Sequence, residues 1–403
     1  MAKVPNIRFK GFTDEWKEAP LCEYLMVSTE RNENDQYTAH DILSVSGEYG
    51  VVNQIEFQGR SFAGASLLNY RVIHHGEIAY TKSPLKQSPY GIIKANKSVT
   101  GIVSALYGVY KKKKGDPNFI QDYFDLLSRL NNYLRPLVNK GAKNTLLITD
   151  EDAISGKVVF PKENEQKKIS AFISHLSATI SQREKELEKL KNIKRALLER
   201  MFPQDEQTTP SIRFNGFTDE WEEKKADDIF ISFDERNHPE LPVLAATQDK
   251  GMVIRDEIGY KIAHNTSNEV GYKHVLPGQF VIHLRSFQGG FAHSNVEGIT
   301  SPAYDVFGLR NPEKHDDCFW KYIFCSSWFI KRLVTVTYGI RDGRNVSYNE
   351  FLGLSFMVPS KQEQIRISKL FKTLGEQISL RERQLKLLKH TKQALLEQMF
   401  VNE

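Results

Sequence analysis

Two stretches of the chain carry apolar residues at alternating spacings of four and three. In the first they are Leu176, Ile180, Leu187, Leu190 and Leu197, with Arg183 and Lys194 filling the same register. In the second they are Leu374, Ile378, Leu385, Leu388 and Leu395, with Arg381 and Lys392 in the equivalent places. A heptad stripe of this length predicts a coiled-coil seam. Pro161 and Pro359 suit helix entries, and no proline or glycine follows in the first stretch before Phe202. A helix of roughly 38 residues is about 57 Å long. One such helix alone would expose its seam, whereas two from one chain can cover each other. We expect antiparallel pairing, with one module at each end of a shared rod. The simpler alternative is two helices packed into separate globular cores.

The stripe belongs to a larger repeat. "IRFKGFTDEWKE" begins at Ile7 and "IRFNGFTDEWEE" at Ile212, an offset of 205 with ten of twelve positions identical. The closing stretches Pro161–Phe202 and Pro359–Phe400 match at twenty of forty-two positions, at an offset of 198. The segment between opening and closing is thus seven residues shorter in the second half. Residues 17–157 and 222–355 look largely unrelated. A frame has been duplicated around inserts that diverged. Four parts are expected: a module over 1–157, a helix over 158–205, a module over 206–355 and a helix over 356–403. The aromatic residues of the openings, Phe9, Phe12 and Trp16 with Phe214, Phe217 and Trp221, suit packing near the rod's ends.

Both modules read as α+β. "GEIAYTK" (76–82) and "GQFVIHL" (278–284) predict a strand after a glycine turn. "GIVSALYGVY" (101–110) and "GITSPAYDVFGL" (298–309) form a second strand-like pair. "DYFDLLSRLNNYLRPLV" (122–138) and "CFWKYIFCSSWFIKRLV" (318–334) each read as a helix. Gly141 and Gly339 then stand twenty residues before the prolines of the long helices. The modules share a pattern while their loops differ.

The loops carry the candidate contacts. Net charge is +5 and the pI about 8.8, which permits a nucleic-acid partner without demanding one. In the first module the candidates are Lys82, Ser83, Lys86, Gln87 and Tyr90, then Lys111 and Lys112 of "YKKKKGD", then Lys140, Lys143 and Asn144. In the second they are Asn265, then Arg285, Ser286 and Gln288 of "HLRSFQGG", then Tyr338, Arg341, Arg344 and Asn345 of "YGIRDGRN". Arginine and lysine suit guanine edges and phosphates, and asparagine and glutamine suit adenine edges. Taken singly, each is as well explained as a solvated loop side chain.

Enzyme signatures are missing. There is no P-loop, no nucleophile elbow and no Cys/His spacing typical of zinc. "SPAY" (301–304) and "SPYG" (88–91) only faintly echo the loop of amino-methyltransferases, and both lack its second proline. Three cysteines make no disulfide framework; Cys318 and Cys325 share a helix face and are expected as core thiols. The start lacks a signal-peptide core and no apolar run is long enough to span a membrane, so a cytoplasmic location is expected.

The whole arrangement resembles the specificity subunit of a type I restriction–modification system, over nearly all 403 residues. The carriers are the "RFKGFTDEW"/"RFNGFTDEW" openings and the "P…EQ…I…L…I…R…L…L…ALL…MF" closings, in that order around divergent modules. The resemblance implies an α+β fold in which two target-recognition domains are joined by two long antiparallel coiled-coil helices with a pseudo-two-fold internal repeat. Each domain would read one half of an asymmetric bipartite site in double-stranded DNA. The helices would set the gap and dock two modification (methyltransferase) subunits. Those would carry S-adenosylmethionine and methylate adenine, and restriction subunits would add ATP- and Mg2+-dependent translocation and cleavage. This chain would bind no cofactor and catalyse nothing. The alternative is a coiled-coil interaction scaffold with two ligand-binding lobes.

Overall fold

A computed structural model describes residues 3–33, 35–62, 64, 66–140, 146–204, 207–247, 250–258, 266–283, 286, 290–333, 337–338 and 345–401. Contacts divide the chain into two units, Met1–Glu184 with Arg383–Glu403, and Lys185–Glu382. The helices Glu163–Arg200 and Lys361–Gln398 both run through the division. Each unit therefore owns the start of one helix and the end of the other, because each helix end packs into the core nearest to it.

In the first unit Ile169 and Ile173 share a core with Leu396, Met399 and Phe400. Glu184 meets Lys389 at 2.6 Å. In the second unit Ile367 and Phe371 share a core with Met201 and Phe202, and Lys191 meets Glu382 at 2.6 Å. Rising numbers on one helix segment meet falling numbers on the other, so the segments within each unit are antiparallel. Of the ten apolar seam positions, Ile180 and Leu187 are buried. Leu176, Leu190, Leu197, Leu374, Ile378, Leu385, Leu388 and Leu395 are half-buried.

The units are built from matching sheets. In the first, an antiparallel four-stranded sheet runs in the order Leu25–Val27, Gly108–Lys112, Ile78–Tyr80, Ile93–Ala95. In the second the order is Phe230–Phe233, Asp305–Leu309, Phe280–Ile282, Ala292–His293. Below each sheet lies an aromatic core. Phe119, Tyr123 and Phe160 fill the first, and Phe230, Phe307, Trp320 and Phe324 the second.

The opening repeat acts as a clasp within each unit. The Ile7 N–H donates to the Gln398 carbonyl, and the Ile212 N–H to the Arg200 carbonyl, both at 2.9 Å. Each bond satisfies a carbonyl that a helix C-terminus leaves without a partner. One residue on, Arg8 binds Glu165 through two bonds of 2.7 and 2.8 Å, and Arg213 binds Glu363 through two of 2.7 Å. Glu165 and Glu363 stand in the first turn of their helices and are 2% and 1% exposed. The opening thus joins the start of one helix to the end of the other. Trp16 packs edge-on against Phe119 and Phe400, and Trp221 against Phe319.

A second latch follows in the closing repeat. Gln166 accepts the Asp116 N–H and donates to the Pro161 carbonyl; Gln364 does the same with Asp316 and Pro359. Ser170 and Ser368 donate to the carboxylates of Asp116 and Asp316. Those aspartates cap the N-termini of Pro117–Phe124 and Asp317–Phe324. The identical Glu-Gln and Ser of the closing repeat are therefore buried fasteners between helix and module.

Four expected elements come out divided. The helix read over 122–138 is two, Pro117–Phe124 and Leu127–Leu134, because Leu126 is extended at φ −77° and ψ 109°. The helix read over 318–334 is also two, Asp317–Phe324 and Ser327–Leu333, with the Ser326 hydroxyl accepting the Phe329 N–H. The run 101–110 holds two strands, Gly101–Val103 and Gly108–Lys112, which pair with different partners. Gly298–Thr300 and Asp305–Leu309 repeat this in the second unit. Cys318 is half-buried and Cys325 exposed, so neither is a fully covered core thiol.

Arg213→Ala would strand the Glu363 carboxylate in the core and cost about 3–5 kcal/mol, read by chemical denaturation. Asp122, buried behind the first sheet, has its carboxyl pushed up to about 8 by burial, against the pull of Lys97 and Lys392, with Asp125 and Asp116 adding to the rise. Between the unfolded value of 3.8 and about 8 the unfolded chain ionises while the folded one does not. Stability from this group is full below the unfolded value and falls as pH rises through that window. Asp122→Asn removes the titration, so the Tm gained over the parent protein should grow from pH 4 to pH 8.

Candidate nucleic-acid interface

All of the candidate residues except Lys111, Lys112 and Asn265 belong, by their place in the sequence, to two connections that correspond in the two modules. The first place is the connection between the third and fourth strands of each sheet. Lys82, Ser83, Lys86, Gln87 and Tyr90 lie there in the first module, and Arg285, Ser286 and Gln288 in the second. The second place is a short hairpin. Strands Asn139–Lys140 and Leu146–Leu147 form it in the first module, and Thr337–Tyr338 and Asn345–Val346 in the second. Lys140, Tyr338 and Asn345 are on these strands. Lys143, Asn144, Asn265, Arg285, Gln288, Arg341 and Arg344 lie outside the described residues, as do the side chains of Lys140, Tyr338 and Asn345.

The first connection is anchored at both ends. Lys82 adopts φ +47°, a left-handed conformation that a side chain rarely takes. It is held by an ion pair of 2.6 Å to Asp150, which also meets Arg71 at 2.6 Å. Two cations on one carboxylate leave a local excess of positive charge. At the far end Gly91 has φ +92°, and a Cβ there would come within 2.8 Å of the Tyr80 ring. Between these ends Lys86 and Gln87 are exposed, while Ser83 and Tyr90 are half-buried. Lys86 makes no ion pair among the described residues. Tyr90 packs on the core, and its carbonyl accepts the Tyr80 hydroxyl at 2.6 Å. In the second connection Ser286 is fully buried, its hydroxyl accepting the His283 N–H at 2.9 Å. Ser286 is thus a structural anchor of its loop in this structure.

The lysine run is not an unpartnered loop. Lys111 and Lys112 end a sheet strand. Lys111 pairs with Glu30 at 3.0 Å, Lys112 with Glu163 at 3.5 Å and Lys114 with Glu23 at 2.7 Å. Lys113 donates to the Cys22 carbonyl. Hydrogen bonding to Glu30 raises the Lys111 pKa, and that to Glu23 the Lys114 pKa. Exposed pairs of this kind are worth only about 0–1 kcal/mol, so a phosphate could displace the carboxylates at little cost.

A cleft of about 530 Å3 in the first unit has a mixed lining, with Lys94, Lys97, Lys389 and Lys392 facing Glu48, Asp125 and Glu184. Lys389 is tied to Glu184 at 2.6 Å. Lys94 is tied to Asp125 at 2.6 Å. Sequence reading missed this group, along with Arg71 and Asp150, because distant segments assemble them. It also missed a nearer signal. "ERN" occurs at 30–32 and again at 235–237, at the same offset of 205 as the openings. In each copy the arginine forms an isolated antiparallel bridge, Arg31 with Arg71 and Arg236 with Lys273. Among the described residues no helix is long and apolar enough to cross a membrane.

The fold is therefore of a definite class: a duplicated α+β module on two long helices, with its variable loops at matching sites. No family model matches the sequence, and no curated protein matches it. Solved structures do. The S subunit of a type I restriction–modification system from M. genitalium is 13% identical, at a TM-score of 0.58, over 99% of this chain and 100% of that one. The HsdS subunit from Thermoanaerobacter tengcongensis is 16% identical at a TM-score of 0.46, over 96% and 97% of the two chains. A chain from work on complex assembly and conformational transition of the type I R-M system is 15% identical at 0.49, over 96% and 97%. The likeness to the M. genitalium protein is one of fold, and it covers the chain from end to end.

Proposed function

We propose that this chain is the DNA sequence-recognition subunit of a type I restriction–modification complex. The observation that carries the proposal is the end-to-end likeness of fold to the M. genitalium S subunit. The duplicated clasps support it, since they hold two unlike sets of loops on like frames. Each module is a target-recognition domain that reads one half of an asymmetric bipartite site in double-stranded DNA. The paired helices are a coiled-coil spacer of about 57 Å, longer than one DNA turn of about 34–36 Å. Ile193, Leu380 and Leu387 are exposed on these helices, away from the seam, and suit a protein partner. Two modification subunits dock there and bring S-adenosylmethionine. Restriction subunits bring ATP and Mg2+. Methylation of an adenine inside a duplex requires flipping it out, so this chain grips DNA and leaves the target base accessible to its partner.

Duplex binding with the modification subunits, measured over a salt series, tests the proposal. A log–log slope of several units is expected, falling by about one when Lys86 is replaced by alanine. No binding at any salt would leave the interaction scaffold as the better reading. Alanine at Arg285, Arg341 and Arg344 together is expected to erase preference for the second half-site and spare the first. Unchanged preference would move recognition away from those loops.

The spacer role has its own test. Four residues added to both helices, beside Arg183 and Arg381, lengthen the rod by about 6 Å. The unread gap should grow by about two base pairs, at 3.4 Å per step. Methylome sequencing reads the gap directly, and an unchanged gap would refute the spacer.

A further inference from the structure

In the second module two histidines and a glutamate converge at the second "ERN" copy, away from the candidate loops. Glu235 and His238 lie in the segment after strand Phe230–Phe233, and His274 lies in strand Lys273–Val275. The His274 N–H donates to the Glu235 carbonyl at 2.8 Å, which fixes the segment against the strand. The Glu235 carboxylate stands between the rings. One oxygen is 2.9 Å from His238 Nε2, and the other is 3.4 Å from His274 Nδ1. One donor atom from each of the three residues can be chosen so that all lie within 4.8 Å of one another.

The outer nitrogens are held as well. His238 Nδ1 is 3.3 Å from Glu240, and His274 Nε2 is 3.0 Å from Glu297. A carboxylate behind a ligating imidazole fixes the tautomer and directs the other nitrogen's lone pair at a metal. His274 is buried, and its Nδ1 has no hydrogen-bond partner. The two rings lie 4.4 Å apart between centroids. Two imidazolium ions at that distance would repel, whereas two neutral imidazoles can share a cation. In a tetrahedral zinc site with bonds of about 2.0–2.1 Å, ligand atoms stand about 3.3 Å apart. The three ligand atoms lie within 4.8 Å of one another, a separation that small side-chain shifts close to that spacing.

The first module supplies an internal comparison. Glu30 occupies the place of Glu235 in the repeated "ERN". There the carboxylate meets the Lys111 ammonium at 3.0 Å and His74 Nε2 at 3.0 Å. Lys111 pairs with Met26 across the sheet, and in the second module the matching pair is Ile231 with Gly308. Where the first module has a built-in cation, the second has a glycine and two imidazoles.

We propose that Glu235, His238 and His274 bind one zinc-class divalent ion, which pins the segment 234–240 to its neighbouring strand. Two imidazoles and a carboxylate suit zinc and leave a fourth position for water. The ligands are scattered over forty residues, so no short Cys/His spacing announces them.

The test uses the untagged full chain, stripped of metal and titrated with zinc against a chromophoric chelator. One tight equivalent is expected, together with the visible absorption of four-coordinate cobalt(II) when cobalt replaces zinc. His238→Ala with His274→Ala should abolish both, and Glu297→Gln should weaken binding about 10–100-fold. His74→Ala in the first module should change neither. Should the double variant fail to fold, zinc protection of His238 in the parent protein against diethyl pyrocarbonate decides the matter, read by peptide mass spectrometry. Equal zinc uptake by the parent protein and a folded double variant would overturn the site, as would the absence of protection. The cluster would then be an ion-pair network that shares protons.

Discussion

The bidentate arginine–glutamate pair is the contact on which each unit depends. Glu165 and Glu363 are almost wholly removed from water, a state that a carboxylate sustains only when its charge is met. Arg8 and Arg213 meet it with two bonds each, and do so from the opening repeat, far away in sequence. That single requirement orders three things at once. It places the opening against the first turn of a helix. It brings the adjacent Ile7 or Ile212 N–H to the other helix's last carbonyls. It also lets the tryptophan of the same motif reach the aromatic core. The doubled motif is thus a structural clasp.

Because the clasp and the Gln-Ser latch absorb the residues that are identical in the two copies, the rest of each module is free to differ. The sheets keep one strand order, and the latch aspartates keep one helix start. Between these fixed points the connections after Tyr80 and Ile282 and the two short hairpins carry unlike side chains. Rigid elements position variable loops, which is how a recognition surface changes without refolding its support.

The long helices and the repeat were legible in the sequence, because a heptad stripe is a local pattern and a duplication reveals itself by comparison. The helix break near Leu126 was not. The apolar stripe continues through Phe124, Leu127 and Leu130 as one helix would carry it, but the break leaves Leu127 exposed while Phe124, Leu126 and Leu130 are buried. Ser326 could have been read as a cap in the second module. The strand run 101–110 hid its turn because no glycine or proline marks it before Gly108, whereas Pro302 marks the matching turn. At the candidate interface the loops were found by composition, but the partners of Lys82 and Lys111 were not. Asp150 lies sixty-eight residues beyond Lys82, and Glu30 eighty-one before Lys111. His238 and His274 are hidden for the same reason, since spacing along a chain says nothing about which strands become neighbours.

The first unit closes its core with Leu396, Met399 and Phe400, from the last turns of the second long helix. The second unit is continuous, from Lys185 to Glu382. During synthesis on the ribosome, the module made first must therefore wait for the final helical turns before its hydrophobic interior is complete. The module made second has all its parts earlier. The order of translation and the order of completion run in opposite directions, and the amino-terminal half stays dependent on a carboxyl-terminal segment that any premature stop would remove.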